Sequence, residues 1–270
     1  MEITSIGFLS ETLFQRYGGI VRDLGDCIEV RTPSNYDFWF GNYLLLEGPP
    51  VVADIADWIA RFETVFADVP EVRHKCLQWS DDGRDTRAMR TEFERLGWEF
   101  DQTSVLSATE SQAVRKPPEG VVFREVLGAG DWEMVLAHQV LTRPDGFGEV
   151  AYRAFKTKRL EVFQALISAE RGHWYGAFKG EDLVADMGIF HREGISRFQE
   201  VSTHPDHRQQ GICAALVHYV SEAEQTARAG NRMVILADKG EPAERIYKRL
   251  GYAEIEQMQS VVLRPKGWDG

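Results

Sequence analysis

The residues best suited to chemistry lie in one short stretch, Arg208-Gln209-Gln210-Gly211-Ile212-Cys213-Ala214. It follows a strand-like run, Ile195 to Thr203, and a polar turn, His204-Pro205-Asp206. After it Ile212, Ala215, Leu216, Tyr219, Val220 and Ala223 recur at helical intervals, so a helix begins near Gly211. The first backbone N–H groups of a helix have no intrahelical acceptor. Together with the helix dipole they attract an anion such as a phosphate. Glycine at 211 lets a bulky group approach without a Cβ in its way. The stretch lacks the Gly-Lys-Ser/Thr ending of a nucleoside triphosphate loop and the Gly-x-Gly-x-x-Gly of a dinucleotide site. His204 and His207 have no third ligand nearby, so no metal is expected; they cap the turn or meet the phosphate.

The elements that position this stretch read as an α+β sheet flanked by helices. "VVFREV" is a strand, "GDWEMVLAHQVL" and "YRAFKTKRLEVFQALISA" have helical spacing, and "HWYGAFKG" and "LVADMGIFH" are strands around a Lys-Gly-Glu-Asp turn. Beyond the opening stretch come "RMVILA" as a strand, "PAERIYKRL" as a helix ended by Gly251, and "QSVVLRP" as a last strand. Upstream, the Pro-Pro pair in "ESQAVRKPPEG" blocks both helix and central strand and marks a linker. The expected division is residues 1–110, a linker at 111–119, and residues 120–270. The halves also resemble each other. "FERLGWEFDQTSVL", from Phe93, matches "YKRLGYAEIEQMQSVVL", from Tyr247, through a shared Arg-Leu-Gly-aromatic core, and "GNYLLLEGPP" sits where the second half has "RFQEVSTHP".

Arg208 to Ala214 resembles the Arg/Gln-x-x-Gly-x-Gly/Ala signature of the GNAT N-acetyltransferase superfamily. "VSTHPDHR" before it and "PAERIYKRLGY", from Pro242 to Tyr252, resemble that family's strand end and its Ala-x-x-x-Tyr-x-x-x-Gly-Phe/Tyr segment. The resemblance covers about Val121 to Leu263. It departs at Cys213, where glycine or alanine is usual, and at Gly240, where many relatives carry Asn.

The resemblance implies tandem GNAT-like domains, each a mixed, mostly antiparallel central sheet flanked by helices, the first one degenerate. It implies that the amides of Arg208, Gln209, Gln210, Gly211, Ile212, Cys213 and Ala214 cradle the pyrophosphate of acetyl-coenzyme A. Val201, Ser202 and Thr203 would present the strand edge and a backbone oxyanion donor, at a bulge that splays two strands, and Tyr247 would protonate the departing thiolate. For the base, strand alternation puts Arg197, Gln199, Val201 and Thr203 on one face and Glu200 and Ser202 on the other, unless a bulge reverses them. Glu200 is the nearest carboxylate, Asp238 the second candidate, and a water chain a third.

The rest of the chain narrows the class. Of 270 residues, 43% are hydrophobic and 27% charged, as in an ordinary globular protein able to bury a core. The formal charge of -11 disfavours a nucleic-acid partner, which would be gripped by Lys and Arg. Three scattered cysteines, no basic leader and no apolar run of bilayer length give the expectation of a cytoplasmic protein without a membrane partner. The first half has Gly48-Pro49-Pro50 where the second has its cradle, and proline supplies no amide donor, so it is expected to serve as scaffold and as a wall of the acceptor site. The expected activity is acetyl transfer from acetyl-coenzyme A to a primary amine, on a small molecule in preference to lysine or an N-terminal amine of a protein. The alternative is a GNAT-fold protein that binds acyl-coenzyme A without turnover. Nothing in the sequence sets an oligomeric state.

Overall fold

The structure is a computed structural model that describes residues 1–113 and 118–265. Two compact units emerge: residues 1–105 together with the described residues from 255 onward, and residues 106–254. Unit 1 contains α1 (Ile6–Glu11), α2 (Gln15–Gly18), β1 (Ile20–Asp23), β2 (Cys27–Arg31), β3 (Tyr43–Leu46), α3 (Ile55–Val65), β4 (Lys75–Ser80), α4 (Arg87–Arg95) and most of β5 (Glu99–Ala108). Unit 2 contains β6 (Val121–Glu125), α5 (Gly128–Leu141), α6 (Glu149–Ser168), β7 (Gly172–Lys179), β8 (Asp182–Arg192), β9 (Ile195–Thr203), α7 (Ile212–Ala227), β10 (Arg232–Asp238) and α8 (Pro242–Arg249). The last strand is β11 (Ala253–Leu263). Among the described residues no helix is long and apolar enough to cross a membrane.

Each unit repeats one scheme. In unit 1 β1, β2 and β3 pair antiparallel in sequence, and α3 crosses over to β4, which pairs parallel with β3. In unit 2 β6 to β9 pair antiparallel in sequence, and α7 crosses over to β10, parallel to β9. The shared Arg-Leu-Gly-aromatic segment is a helix ending. Gly97 and Gly251 take φ +83° and +90°, which glycine adopts without a Cβ penalty. Around each, the next aromatic N–H bonds back to the ring residue's carbonyl, Trp98 to Phe93 at 2.9 Å and Tyr252 to Tyr247 at 3.1 Å. Those bonds, with Gly97 to Glu94 and Gly251 to Lys248, form a Schellman motif in both copies.

The structure divides the chain differently from the sequence-based expectation. β11 pairs antiparallel with β4, from Met258 opposite Ser80 to Leu263 opposite Lys75, so the last strand builds unit 1 and not the second half. Its Glu256 accepts hydrogen bonds from the Ser5 hydroxyl and the N–H groups of Ile6 and Gly7, capping α1. Leu106, near the end of β5, lies in the core of unit 2. Residues 109–112, expected at the junction with the linker, are bonded within unit 2: Gln112 N–H to the Leu250 carbonyl at 2.8 Å, and Ser111 to His218 at 2.6 Å. The rest of the expected 111–119 linker includes residues 114–117, which lie outside the described residues. The cause of the difference is that alternation fixes a strand's faces but not its neighbours.

In unit 2 the two faces of the sheet are distinct. Ala185, Met187 and Ile189 of β8 pack with Leu216 and Val220 of α7 and Tyr247 of α8. Between them, Asp186 and Phe190 face the other way, Phe190 against Phe163 of α6 at 5.1 Å and Asp186 against α5.

Candidate active site

The strand β9 is irregular where the sequence places its functional end. Asp186 is opposite Ser202 and Gly188 opposite Gln199, so two steps on β8 meet three on β9. Glu200 sits in this bulge at φ +56°, a conformation that costs a non-glycine residue about 1–3 kcal/mol. The extra residue reverses the alternation. Phe198 packs on the α7 side, as Val201 does two residues after the bulge residue begins, while Glu200 and Ser202 turn toward α5 and α6. On the other edge β9 pairs with β10 only from Ile195 to Arg197, opposite Arg232 to Val234. Beyond that register both strands continue, to Thr203 and Asp238, without extending the ladder.

At the end of β9 the chain forms a 3-10 turn, Pro205–His207, capped by the His204 ring, whose Nδ1 accepts from the Asp206 N–H at 3.2 Å. Gln209 and Gly211 then take φ +61° and +79°. Left-handed residues of this kind turn neighbouring N–H groups toward a shared concavity. The first helical bond at this end of α7 is donated by Ala215 to the Gly211 carbonyl at 3.0 Å, which leaves the N–H groups of Ile212, Cys213 and Ala214 ahead of it without intrahelical acceptors. No protein atom lies within 4 Å of a Cβ built on Gly211. The protein itself therefore requires glycine there for its torsion, and the space a Cβ would take is open to a ligand. Arg208 bonds the Thr203 carbonyl through Nε at 3.2 Å and the Gln210 amide bonds the Asp206 carbonyl at 3.1 Å, which fixes the loop.

Tyr247, the C-terminal-turn residue of α8, is buried. Burial first, and the nearby Cys213 second, push its phenol well above the ordinary value, so it carries its proton at neutral pH. Cys213 is likewise raised, to about 11, by burial, with a bond from Thr203 acting against the shift; it is a thiol and a weak nucleophile. Asp238, at the exposed end of β10, has its carboxyl raised by local desolvation and then by Glu241. Its charge also acts on Tyr247.

Glu200 is placed differently from a free carboxylate. Lys156 of α6 bonds its Oε2 and Arg159 its Oε1 at 3.2 Å, and all three side chains are largely buried. Burial opposes the charge, but the two cations outweigh it and hold the carboxyl at about 2.

Sequence reading missed the polar cluster beside it. Asp186 is fully buried and bonded by His138 Nδ1 at 2.6 Å, Gln139 Nε2 at 3.0 Å, the Ser202 hydroxyl at 2.9 Å and the Trp174 indole at 3.0 Å. Gln139 Nε2 also donates to the Glu200 carbonyl at 3.1 Å. The available signal was Asp186 itself, a carboxylate inside the otherwise apolar run "LVADMGIF". Among the described residues no group of three or more His, Cys, Asp or Glu side chains is arranged to hold a metal.

Comparison with known proteins agrees with this geometry. Residues 170–254 match the family model described as an acetyltransferase (GNAT) domain. No curated protein matches this chain. Among solved structures, a functionally unknown conserved protein from Staphylococcus epidermidis is similar with a TM-score of 0.72 at 13% identity, covering 94% of this chain and 98% of that one. A GCN5-related N-acetyltransferase from Kribbella flavida is similar at 0.65 and 19% identity, covering 97% and 96%. A tandem GNAT protein from the clavulanic acid biosynthesis pathway is similar at 0.53 and 11%, covering 82% and 73%. At these identities the likeness to solved structures concerns the fold.

Proposed function

Residues 170–254 form a GNAT acetyltransferase domain, and on that premise we propose that the chain transfers an acetyl group from acetyl-coenzyme A to a primary amine of a small molecule. The observation that carries the reading is the set of N–H groups at Ile212 to Ala214, ahead of the first helical bond and beside the open space at Gly211. The donors and that space fit a pyrophosphate. Acetyl-coenzyme A supplies an acetyl group already activated as a thioester.

This chain's residues do the rest. Arg208 to Ala214 hold the anion, and Val201 to Thr203, the part of β9 beyond its ladder with β10, offer main-chain groups to the pantetheine arm and the carbonyl oxygen. Tyr247, protonated at neutral pH, gives its proton to the sulfur. Glu200 is set aside as a base: a carboxyl held at about 2 has little affinity for an amine's proton. Its role is to neutralise Lys156 and Arg159 and to fix the bulge.

Unit 1 we read as a GNAT-like unit without a cradle. Pro49 and Pro50 stand at the end of its β3, beside a cavity of about 210 Å³ that Arg84 and Met89 also line. That is below the roughly 300–1,000 Å³ typical of ligand pockets.

Titration calorimetry with acetyl-coenzyme A, followed by a panel of primary amines monitored for free thiol, tests the proposal. Binding heat and amine-dependent thiol release are expected. Absence of heat refutes the cradle; heat without thiol release for any amine assigns the chain to acyl-coenzyme A binding alone.

A further inference from the structure

We propose that His138, held by Asp186, is the base that takes the proton from the acceptor amine, an inference that rests on the acetyl-transfer reading above. Asp186 is surrounded by donors: the Trp174 indole, the Gln139 amide and the Ser202 hydroxyl. A carboxylate accepts only, so the His138 nitrogen 2.6 Å from its Oδ1, Nδ1, is the protonated one. The neutral ring then carries its lone pair at Nε2. That atom is buried and has no hydrogen-bond partner.

The arrangement is not a serine nucleophile relay. Ser202 Oγ lies 3.3 Å from Nδ1, the nitrogen already committed to Asp186, and it bonds Asp186 itself at 2.9 Å. A relay needs the serine on the other nitrogen. The proton that Nε2 can accept must therefore come from a ligand.

The position suits the reaction. The His138 ring stacks on His204, with centroids 6.3 Å apart and an interplanar angle of 11°, and His204 opens the turn into the cradle. The next residue, Gln139, bonds the Glu200 carbonyl inside the bulge. Gln199 adds a second acceptor: its Oε1 is also buried without a partner, and its register opposite Gly188 puts it on the Asp186 face of the sheet. Two buried acceptors flanking the bulge match a ligand with N–H groups to give. The charged and titratable groups around His138 are Asp186 from β8, His204 from the turn, and the Glu200, Lys156 and Arg159 cluster from β9 and α6.

The balance is complete with groups already named. The amine nitrogen bonds the acetyl carbon while the carbon–sulfur bond breaks. His138 Nε2 takes the amine's proton and Tyr247 gives one to the sulfur. His138 then releases its proton to solvent and Tyr247 regains one, so an ammonium substrate yields the amide, the free thiol and one proton.

The test uses His138→Asn, whose amide can keep a donor toward Asp186 but has nothing in place of Nε2. With the best amine of the panel, kcat/KM is expected to fall by about 10² to 10⁴ and the acid limb of its pH profile to vanish, with calorimetric binding of acetyl-coenzyme A unchanged. A rate within threefold of wild type and an unaltered profile overturn the proposal. Independently of that variant's folding, ¹⁵N NMR of histidine-labelled wild-type protein should show Nδ1 protonated and Nε2 bare at pH 8; the opposite tautomer overturns the proposal directly. A wild-type protein that acetylates no amine refutes the acetyl-transfer reading, while the tautomer measurement still decides the state of His138.

Discussion

Gly211→Ala separates what the backbone needs from what a ligand needs. Gly211 sits at φ +79° with no protein atom within 4 Å of the added Cβ, so the substitution meets torsional strain and no clash. The left-handed conformation costs an L-residue about 1–2 kcal/mol, which for a chain of this size lowers Tm by roughly 2–4 °C per kcal/mol. Gly194, in the turn between β8 and β9, has φ +80° and the same empty surroundings. Gly194→Ala should therefore lower Tm to the same extent. The two differ in what lies beside them: at Gly211 the methyl enters the space next to the N–H groups of Ile212 to Ala214. Calorimetry should show acetyl-coenzyme A binding weakened at least about tenfold by Gly211→Ala, or about 1.4 kcal/mol, and unchanged by Gly194→Ala. Equal affinities in the two variants, with equal losses of Tm, would refute the argument that the open space at Gly211 belongs to the ligand.

Two further substitutions address the neighbouring groups. Tyr247→Phe should lower kcat by about 10- to 100-fold with little change in Tm, because Phe93 ends the matching helix of unit 1 in the same motif without a hydroxyl; an unchanged kcat removes the proposed acid. Glu200→Gln leaves Lys156 and Arg159 buried without their anion and should cost about 3–5 kcal/mol, read by denaturant unfolding at pH 7. Since folding lowers the Glu200 carboxyl from 4.5 to about 2, its contribution of about 3 kcal/mol is complete above pH 4.5 and fades as pH falls toward 2. The gap between wild type and variant should close over that range, and a gap that persists at pH 2 contradicts the assignment.

Much of unit 2 was legible because its signals are local. The helical recurrence after Gly211, the glycines at 97 and 251 and the polar turn at 204–206 all act within a few residues, and each appears where the spacing predicts it. The similarity of the two Arg-Leu-Gly-aromatic segments likewise reflects one helix ending built twice from nearby atoms. The bulge was foreseen only as a condition, since strand alternation cannot reveal that Glu200 adopts φ +56° and reverses the faces of the residues after it.

The sequence alone determined the helix that opens at an anion-accepting loop, the repeated helix-ending motif and the mixed character of the sheet, because backbone geometry and apolar periodicity are written in neighbouring residues. Only the tertiary structure decided what the side chains of the site are. Glu200 is a buried counterion because Lys156, 44 residues away, folds onto it, and His138 has a free Nε2 because Asp186, 48 residues away, takes its other nitrogen. The same holds for β11, whose alternation identifies a strand but whose place beside β4 depends on which sheet edge is open to it. A charge or a proton is held by whatever packs against it, and packing partners distant in sequence leave no periodic trace along the chain.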